Sequence, residues 1–179
     1  MRFLHIRNCF AVAGTSSQWT TSAESPGKLS GAYRADVLGM RVVLPKDLEA
    51  LKERVIGCAI AVHRELGPGL LESIYRACLT IELREAGLSV EREIPVPVIY
   101  RGQSVGNALK IDLIVEGRLV VEVKAVERIH PVYITQLITY LKLTGFPAGL
   151  LMKFNSTSLR AGLRTAVHPE LYRQLTPDA

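Results

Sequence analysis

Three charged side chains sit where a sheet-forming pattern leaves little room for charge. The stretch from Lys110 to Val126, KIDLIVEGRLVVEVKAV, reads as two short apolar strands joined at Glu116-Gly117-Arg118. Inside it lie Asp112, Glu122 and Lys124. Alternation along a strand puts Glu122 and Lys124 on one face and Val121 and Val123 on the other. Ile111 and Leu113 are expected opposite Asp112 in the same manner. A three-residue turn centred on Gly117 brings Asp112 beside Glu122, whereas a two-residue turn carries Asp112 to the far face. Gly117 supplies the positive φ that such a turn often needs. Two adjacent carboxylates repel unless a cation joins them. Hard Mg²⁺ takes oxygen ligands, commonly one or two carboxylates with waters and phosphate oxygens. A metal there lowers the pKa of a bound water and polarises a phosphate. Lys124 is placed to hold that water or to stabilise charge on the phosphate. On spacing alone, an exposed strand face with a salt bridge explains the same residues. The apolar neighbours Ile114, Val120 and Val126 point instead to a half-buried pocket.

The elements around this hairpin follow from periodicity. Leu48, Leu51, Val55, Ile56, Ala59, Ile60, Val62 and Leu66 recur near the helical repeat from Pro45 onward, and Gly67-Pro68-Gly69 stops the helix. A second helix is expected from about Leu71 to Ala86, ending at Gly87. LSVEREIPVPVIYRG alternates but carries Pro95 and Pro97, so it reads as a strand at or near a sheet edge. After the hairpin, His130-Pro131 opens a third helix, about Val132 to Leu143, which Thr144-Gly145 ends. A strand is expected at about Ala148 to Phe154 and a last helix at about Ser158 to Val167. The order is α, α, β, β, β, α, β, α, with no internal repeat.

With these elements in place, the pattern is similar to a known family. Asp112 followed by Glu122-Val123-Lys124 on the next strand resembles the PD-(D/E)XK motif of the restriction-endonuclease-like nucleases. GLLESIY, Gly69 to Tyr75, resembles the signature of the GxxExxY proteins, and ITQLITYLKLTG around Gln136 and Tyr140 also looks like that family. The resemblance covers about Leu48 to Val167, with the three motifs in the expected order. It implies an α/β restriction-endonuclease-like core, with a central mixed β-sheet flanked by α-helices. It also implies an Mg²⁺-dependent phosphodiesterase site (Mn²⁺ as the alternative ion) at Asp112, Glu122 and Lys124, acting on nucleic acid. The proline that names the motif is absent: Ile111 stands before the first acid.

The other motif residues can be placed physically. Glu72 and Tyr75 are three apart on one helix face, and Glu72 lies in the first turn, where the dipole favours a carboxylate. Glu72 is therefore a third candidate for the metal or its water shell. Gln136 and Tyr140 are four apart on one face of the third helix. The resemblance implies that Gln136 bonds the attacking water or a substrate phosphate and that Tyr140 stacks or bonds there. Tyr75 and Lys142 are candidate substrate contacts. Lys110, Arg128 and Lys153 are further basic groups that could hold a nucleic-acid backbone. His63 is expected to cap or pack, and His130 is ambiguous.

Composition limits the alternatives. The net charge is +5, but residues 1–45 hold five of the 22 basic and two of the 17 acidic residues, so the rest carries only +2. A general polyanion-binding surface is not indicated, and any basic patch must be local. No run approaches a membrane span. Cys9, Cys58 and Cys78 are scattered singly without metal spacing, which fits a reducing, cytoplasmic setting. Residues 1–45, rich in Ser, Thr, Gly and Ala, read as a disordered extension or a mis-assigned start with Met40 as the initiator. One domain is expected over residues 46–172, with a tail at 173–179. A non-catalytic nucleic-acid- or protein-binding module on the same fold is the competing reading. A homodimer would suit a small enzyme that must cut two strands.

Overall fold

A computed structural model of the chain describes residues 44–106 and 109–175. The expected N-terminal extension and the Met40 start lie outside the described residues.

Two helices come first. Helix α1 (Lys46–Leu66) buries Leu48, Leu51, Val55, Ile56, Ala59 and Val62, a stripe at three- and four-residue spacing. Gly67, at φ 66°, ends it with its N–H on the carbonyl of His63. Helix α2 (Glu72–Glu85) buries Tyr75, Leu79 and Leu83, one residue per turn. Both helices cover the same side of the sheet, where their apolar stripes meet Leu113, Leu119, Val121 and Val123 in the larger of two cores.

The sheet has five strands: β1 (Val90–Val96), β4 (Leu109–Val115), β5 (Leu119–Lys124), β6 (Ala148–Lys153) and β7 (Leu163–Val167), side by side in that order. All neighbours run antiparallel except β5 and β6, which are parallel and joined by helix α3 (Pro131–Thr144). The result is a mixed sheet with helices on both faces. Proline-bearing β1 forms one edge, as its missing donors require. Its expected continuation breaks at Pro97 into a separate small hairpin, β2 (Ile99–Tyr100) with β3 (Gln103–Ser104).

Helix α3 covers the opposite face. Leu137, Tyr140 and Leu141 meet Val120, Ile114 and Leu151 in the second core. Its close approach depends on Gly149 of β6, where an added Cβ would stand 2.7 Å from Leu137 Cδ1.

The expected last helix at 158–167 is incorrect. That stretch is a 3-10 turn (Leu159–Gly162) followed by strand β7, which pairs with β6 from Met152–Leu163 to Ala148–Val167. Its apolar residues are spaced acceptably for a helix, but a free sheet edge at β6 outweighs the local preference. Gly162 lies against the Lys153 carbonyl, 2.5 Å from where a Cβ would be, which fixes the corner. A short helix α4 (Pro169–Leu175), not expected from the sequence, follows and adds Leu171, Tyr172 and Leu175 to the larger core.

Candidate active site

The β4–β5 hairpin has the register that a turn centred on Gly117 requires: Val115 faces Leu119, Ile114 faces Val120 and Leu113 faces Val121. Glu116 and Gly117 both take positive φ, 53° and 58°. The ladder then stops, although both strands continue. Where Asp112 and Glu122 would pair, the Asp112 side chain intervenes, and its Oδ2 accepts the Val123 N–H at 2.9 Å. A carboxylate thus substitutes for a main-chain carbonyl, and the strands part at that end.

The strand β4 also turns over here. Ile111 and Leu113, two apart, pack into opposite cores, so the expectation that they share the face opposite Asp112 is corrected. The cause lies in β1. Glu93, across from Asp112, takes φ 53°, and the β1–β4 ladder skips that pair between Arg92–Leu113 and Ile94–Ile111. Asp112 is therefore outside the ladder on both sides, and its carboxylate takes one main-chain partner, the Val123 N–H, and one side-chain partner, Arg76.

Glu122 and Lys124 lie on the α3 face, as alternation with Val121 and Val123 predicts. Lys124 Nζ donates to Glu122 Oε1 at 2.6 Å and stands 5.5 Å from the Tyr133 ring centroid. Helix α2 approaches from the other face. Glu72, its first residue, accepts the Ala125 N–H at 3.4 Å and stands 3.9 Å from Lys124 Nζ. One turn later Arg76 Nη1 donates to Asp112 Oδ1 at 2.6 Å, while Nη2 lies 3.5 Å from Glu93 Oε1. Groups from α2, α3, β1, β4 and β5 converge where the sheet opens.

The charge balance is unusual for a buried place. Asp112 and Glu122 are 6 % and 3 % exposed. Burial, and then the charge of Asp112, push the Glu122 carboxyl up to about 7, against the pull of Lys124. Burial opposes the charge on Lys124 most strongly, but its hydrogen bond to Glu122 and the surrounding carboxylates outweigh that and raise its pKa. Both groups hold protons harder than usual: burial and the Asp112 charge do this for Glu122, and the neighbouring carboxylates do it for Lys124 against its own burial.

Two buried side-chain atoms among the described residues have no hydrogen-bond partner, and both are here: Glu122 Oε2 and Arg76 Nε. An orphaned carboxylate oxygen beside a second carboxylate is the donor chemistry a hard divalent cation takes. Asp112 and Glu122 therefore fit such an ion. The three expected metal carboxylates are not assembled into one cluster: among the described residues no group of three or more His, Cys, Asp or Glu side chains is arranged to hold a metal. Lys124 stands between Glu122 and Glu72, which separates the third carboxylate from the other two.

The remaining expected residues divide. Gln136 and Tyr140 pair, Gln136 Nε2 donating to the Tyr140 hydroxyl at 2.8 Å. Burial, and then the charge of Glu122, raise the Tyr140 pKa, so its hydroxyl stays protonated beside the cluster. Tyr75 is fully buried and stacks on Phe154, with centroids 4.5 Å apart. Its hydroxyl donates to the Gly67 carbonyl and accepts the Leu70 N–H, so in this structure it holds the Gly67-Pro68-Gly69 loop. Lys142 is exposed near the end of α3. Lys153 is the ladder neighbour of Lys124 and donates to the Glu127 carbonyl; Lys110 pairs with Glu93. His63 ties α1 to the carbonyls of Phe154 and Ser156, and His130 caps α3 with its ring against Tyr133. Arg76, Glu93 and Tyr133 were missed. Arg76 carried one signal, since it falls four residues after Glu72 on the same helix.

A five-stranded mixed sheet flanked by helices, opening around an Asp…Glu-x-Lys set, has the α/β restriction-endonuclease-like architecture. A family profile for the PD-(D/E)XK nuclease superfamily matches residues 49–166. The chain belongs to that superfamily, whose nucleases generally use divalent metals. No curated protein and no solved structure matches the chain. Among the described residues no helix is long and apolar enough to cross a membrane.

Proposed function

We propose that the chain is a metal-dependent nuclease that hydrolyses phosphodiester bonds of nucleic acid, with Asp112 and Glu122 as the Mg²⁺ or Mn²⁺ ligands. The observation that carries this reading is the buried, partnerless Oε2 of Glu122 beside Asp112, in the Asp…Glu-x-Lys order of the superfamily. A bound divalent ion supplies a water of lowered pKa and polarises the scissile phosphate. The chain's own groups do the rest. Lys124, fixed by Glu122 and Glu72, presents a stable ammonium to charge developing on the phosphate. Gln136 orients the water, and the Tyr140 hydroxyl fixes Gln136 in turn. Lys142 on α3 and Lys153 on β6 are candidates to hold the nucleic-acid backbone. The GLLESIY motif, Gly69 to Tyr75, supports a relation to the GxxExxY proteins within the superfamily.

One observation favours a second reading, a binding module without turnover. Arg76 and Lys124 already neutralise Asp112 and Glu122, and a self-neutralised cluster needs no metal.

The test is calorimetric titration of the full chain with Mg²⁺ and Mn²⁺, followed by incubation with single-stranded, duplex and branched DNA and with RNA. Binding that Asp112→Asn and Glu122→Gln abolish, with cleavage that requires the same ion, establishes the nuclease. Nucleic-acid binding without metal uptake or cleavage establishes the module.

A further inference from the structure

Arg76 is the cation that Asp112 actually has. Its guanidinium bridges two carboxylates on neighbouring strands: Nη1 lies 2.6 Å from Asp112 Oδ1 and Nη2 lies 3.5 Å from Glu93 Oε1. The grip is incomplete, since Nε is buried with no partner. A buried donor left unpaired is costly, so this seat is not one the guanidinium fully satisfies. Glu93 is half-exposed and sits at φ 53°. Its carboxylate also holds Lys110, and Lys110 first, then Arg76, lower its pKa.

Asp112 offers few free lone pairs. Oδ2 is committed to the Val123 N–H, a bond that shapes the end of the hairpin. Oδ1 is the oxygen that can face an incoming ion, and Arg76 is on it. A divalent ion on Oδ1 and a guanidinium on Oδ1 repel at close range.

We propose that Arg76 and a divalent metal ion are alternative partners of Asp112 Oδ1, so that Arg76 sets the metal affinity of the site. The proposal rests on the reading of Asp112 and Glu122 as metal ligands. Without metal, Arg76 neutralises the buried carboxylate and keeps the fold from holding an uncompensated charge. When the ion binds, Arg76 leaves Oδ1 and keeps Glu93 as its anchor. Metal uptake and arginine release are then one exchange.

The test uses Mn²⁺ as the probe and the full chain in four forms: wild type, Arg76→Gln, Arg76→Lys and Asp112→Asn. Calorimetry gives the affinities, and thermal melts with and without Mn²⁺ give a second readout. Arg76→Gln is expected to bind Mn²⁺ about tenfold or more tightly than wild type, because the repelling charge is gone. Arg76→Lys keeps the charge but cannot bridge Asp112 and Glu93, so it falls between the two. Asp112→Asn loses binding. Mn²⁺ is expected to raise the melting temperature of Arg76→Gln more than that of wild type, because the ion replaces the missing guanidinium. Mn²⁺ binding by Arg76→Gln alone, with none by wild type, supports the exchange in its strongest form. Equal or weaker affinity in Arg76→Gln, with wild type still binding, overturns the exchange and leaves the metal site standing. Absence of Mn²⁺ binding in every form overturns the metal site itself.

Discussion

The two ends of the β4–β5 hairpin contain similar residues and solve opposite problems. At the turn end, Glu116 and Arg118 flank Gly117, and backbone bonds satisfy the strands up to Val115–Leu119. The charges there are peripheral. Arg118 pairs with Asp47, which is 60 % exposed, and Glu116 Oε1 accepts the Ser89 N–H. A cleft lined by Asp47, Arg54, Glu116 and Arg118 opens at this end, away from the Asp–Glu–Lys set. At the open end, the ladder stops at Leu113–Val121 and side chains take over the pairing. Charges there are buried, and one oxygen and one nitrogen remain without partners. Charge at the turn end costs little and can be lost cheaply. Charge at the open end is costly wherever a partner is missing, and that contrast separates a surface ion pair from a buried cluster.

Removing Asp112 should break the comparison most visibly. Asp112→Ala leaves Arg76 half-buried without its carboxylate and the Val123 N–H without an acceptor. Loss of one partner of a buried pair costs about 3–5 kcal/mol, measurable by urea denaturation. Asp112→Asn retains an acceptor for Val123 and should cost less. If the nuclease reading is right, either substitution should also lower cleavage at least about a hundredfold. Arg118→Ala, at the other end, should leave cleavage unchanged.

The next largest effect is a pH dependence that only the open end should have. The Glu122 carboxyl titrates near 7 in the folded chain against a usual 4.5. Below 4.5 the group is protonated in both states and contributes no difference. Between 4.5 and 7 only the unfolded chain ionises, so stability falls as pH rises, and the loss is complete above 7. The interval corresponds to about 3 kcal/mol. Glu122→Gln should therefore gain stability relative to wild type between pH 4 and 8, with chelator present to exclude metal. Parallel pH profiles for the two proteins would show that Glu122 is ionised throughout and that Lys124 fully compensates it.

The sequence is most legible where one local signal decides the outcome. Helices α1 and α2 carry apolar stripes and end at glycines of positive φ, Gly67 and Gly87. The proline-bearing strand is at an edge, and the hairpin register follows from Gly117. The last strand was not legible, because β7 is set by the open edge of β6 and by the tight corner at Gly162 rather than by its own residues. The site shows the same division. Asp112, Glu122 and Lys124 stand out as charges in an apolar pattern, and Gln136 with Tyr140 as a helical pair. Tyr75 could not be separated from them by spacing, since only the third dimension shows it stacked on Phe154. Arg76 and Glu93 escaped notice because charge on a helix or an edge strand is ordinary. Their importance comes from facing Asp112 across strands.

The smallest effects belong to the turn end and sharpen the contrast from below. Gly117→Ala places a Cβ at φ 58° with no heavy atom within 4 Å, so the cost is conformational alone. That cost is about 1–2 kcal/mol. Arg118→Ala removes an exposed ion pair and should change stability by less than about 1 kcal/mol. Raising salt should weaken the Arg118–Asp47 contribution, since its partners face solvent, while the Asp112–Arg76 contribution is screened much less. Urea titrations of Arg118→Ala and Asp112→Asn at low and high salt test this directly. If both differences from wild type shrink alike with salt, the open end is as solvated as the turn end. The buried cluster would then be a surface ion pair, and the case for a metal site would lose its physical basis.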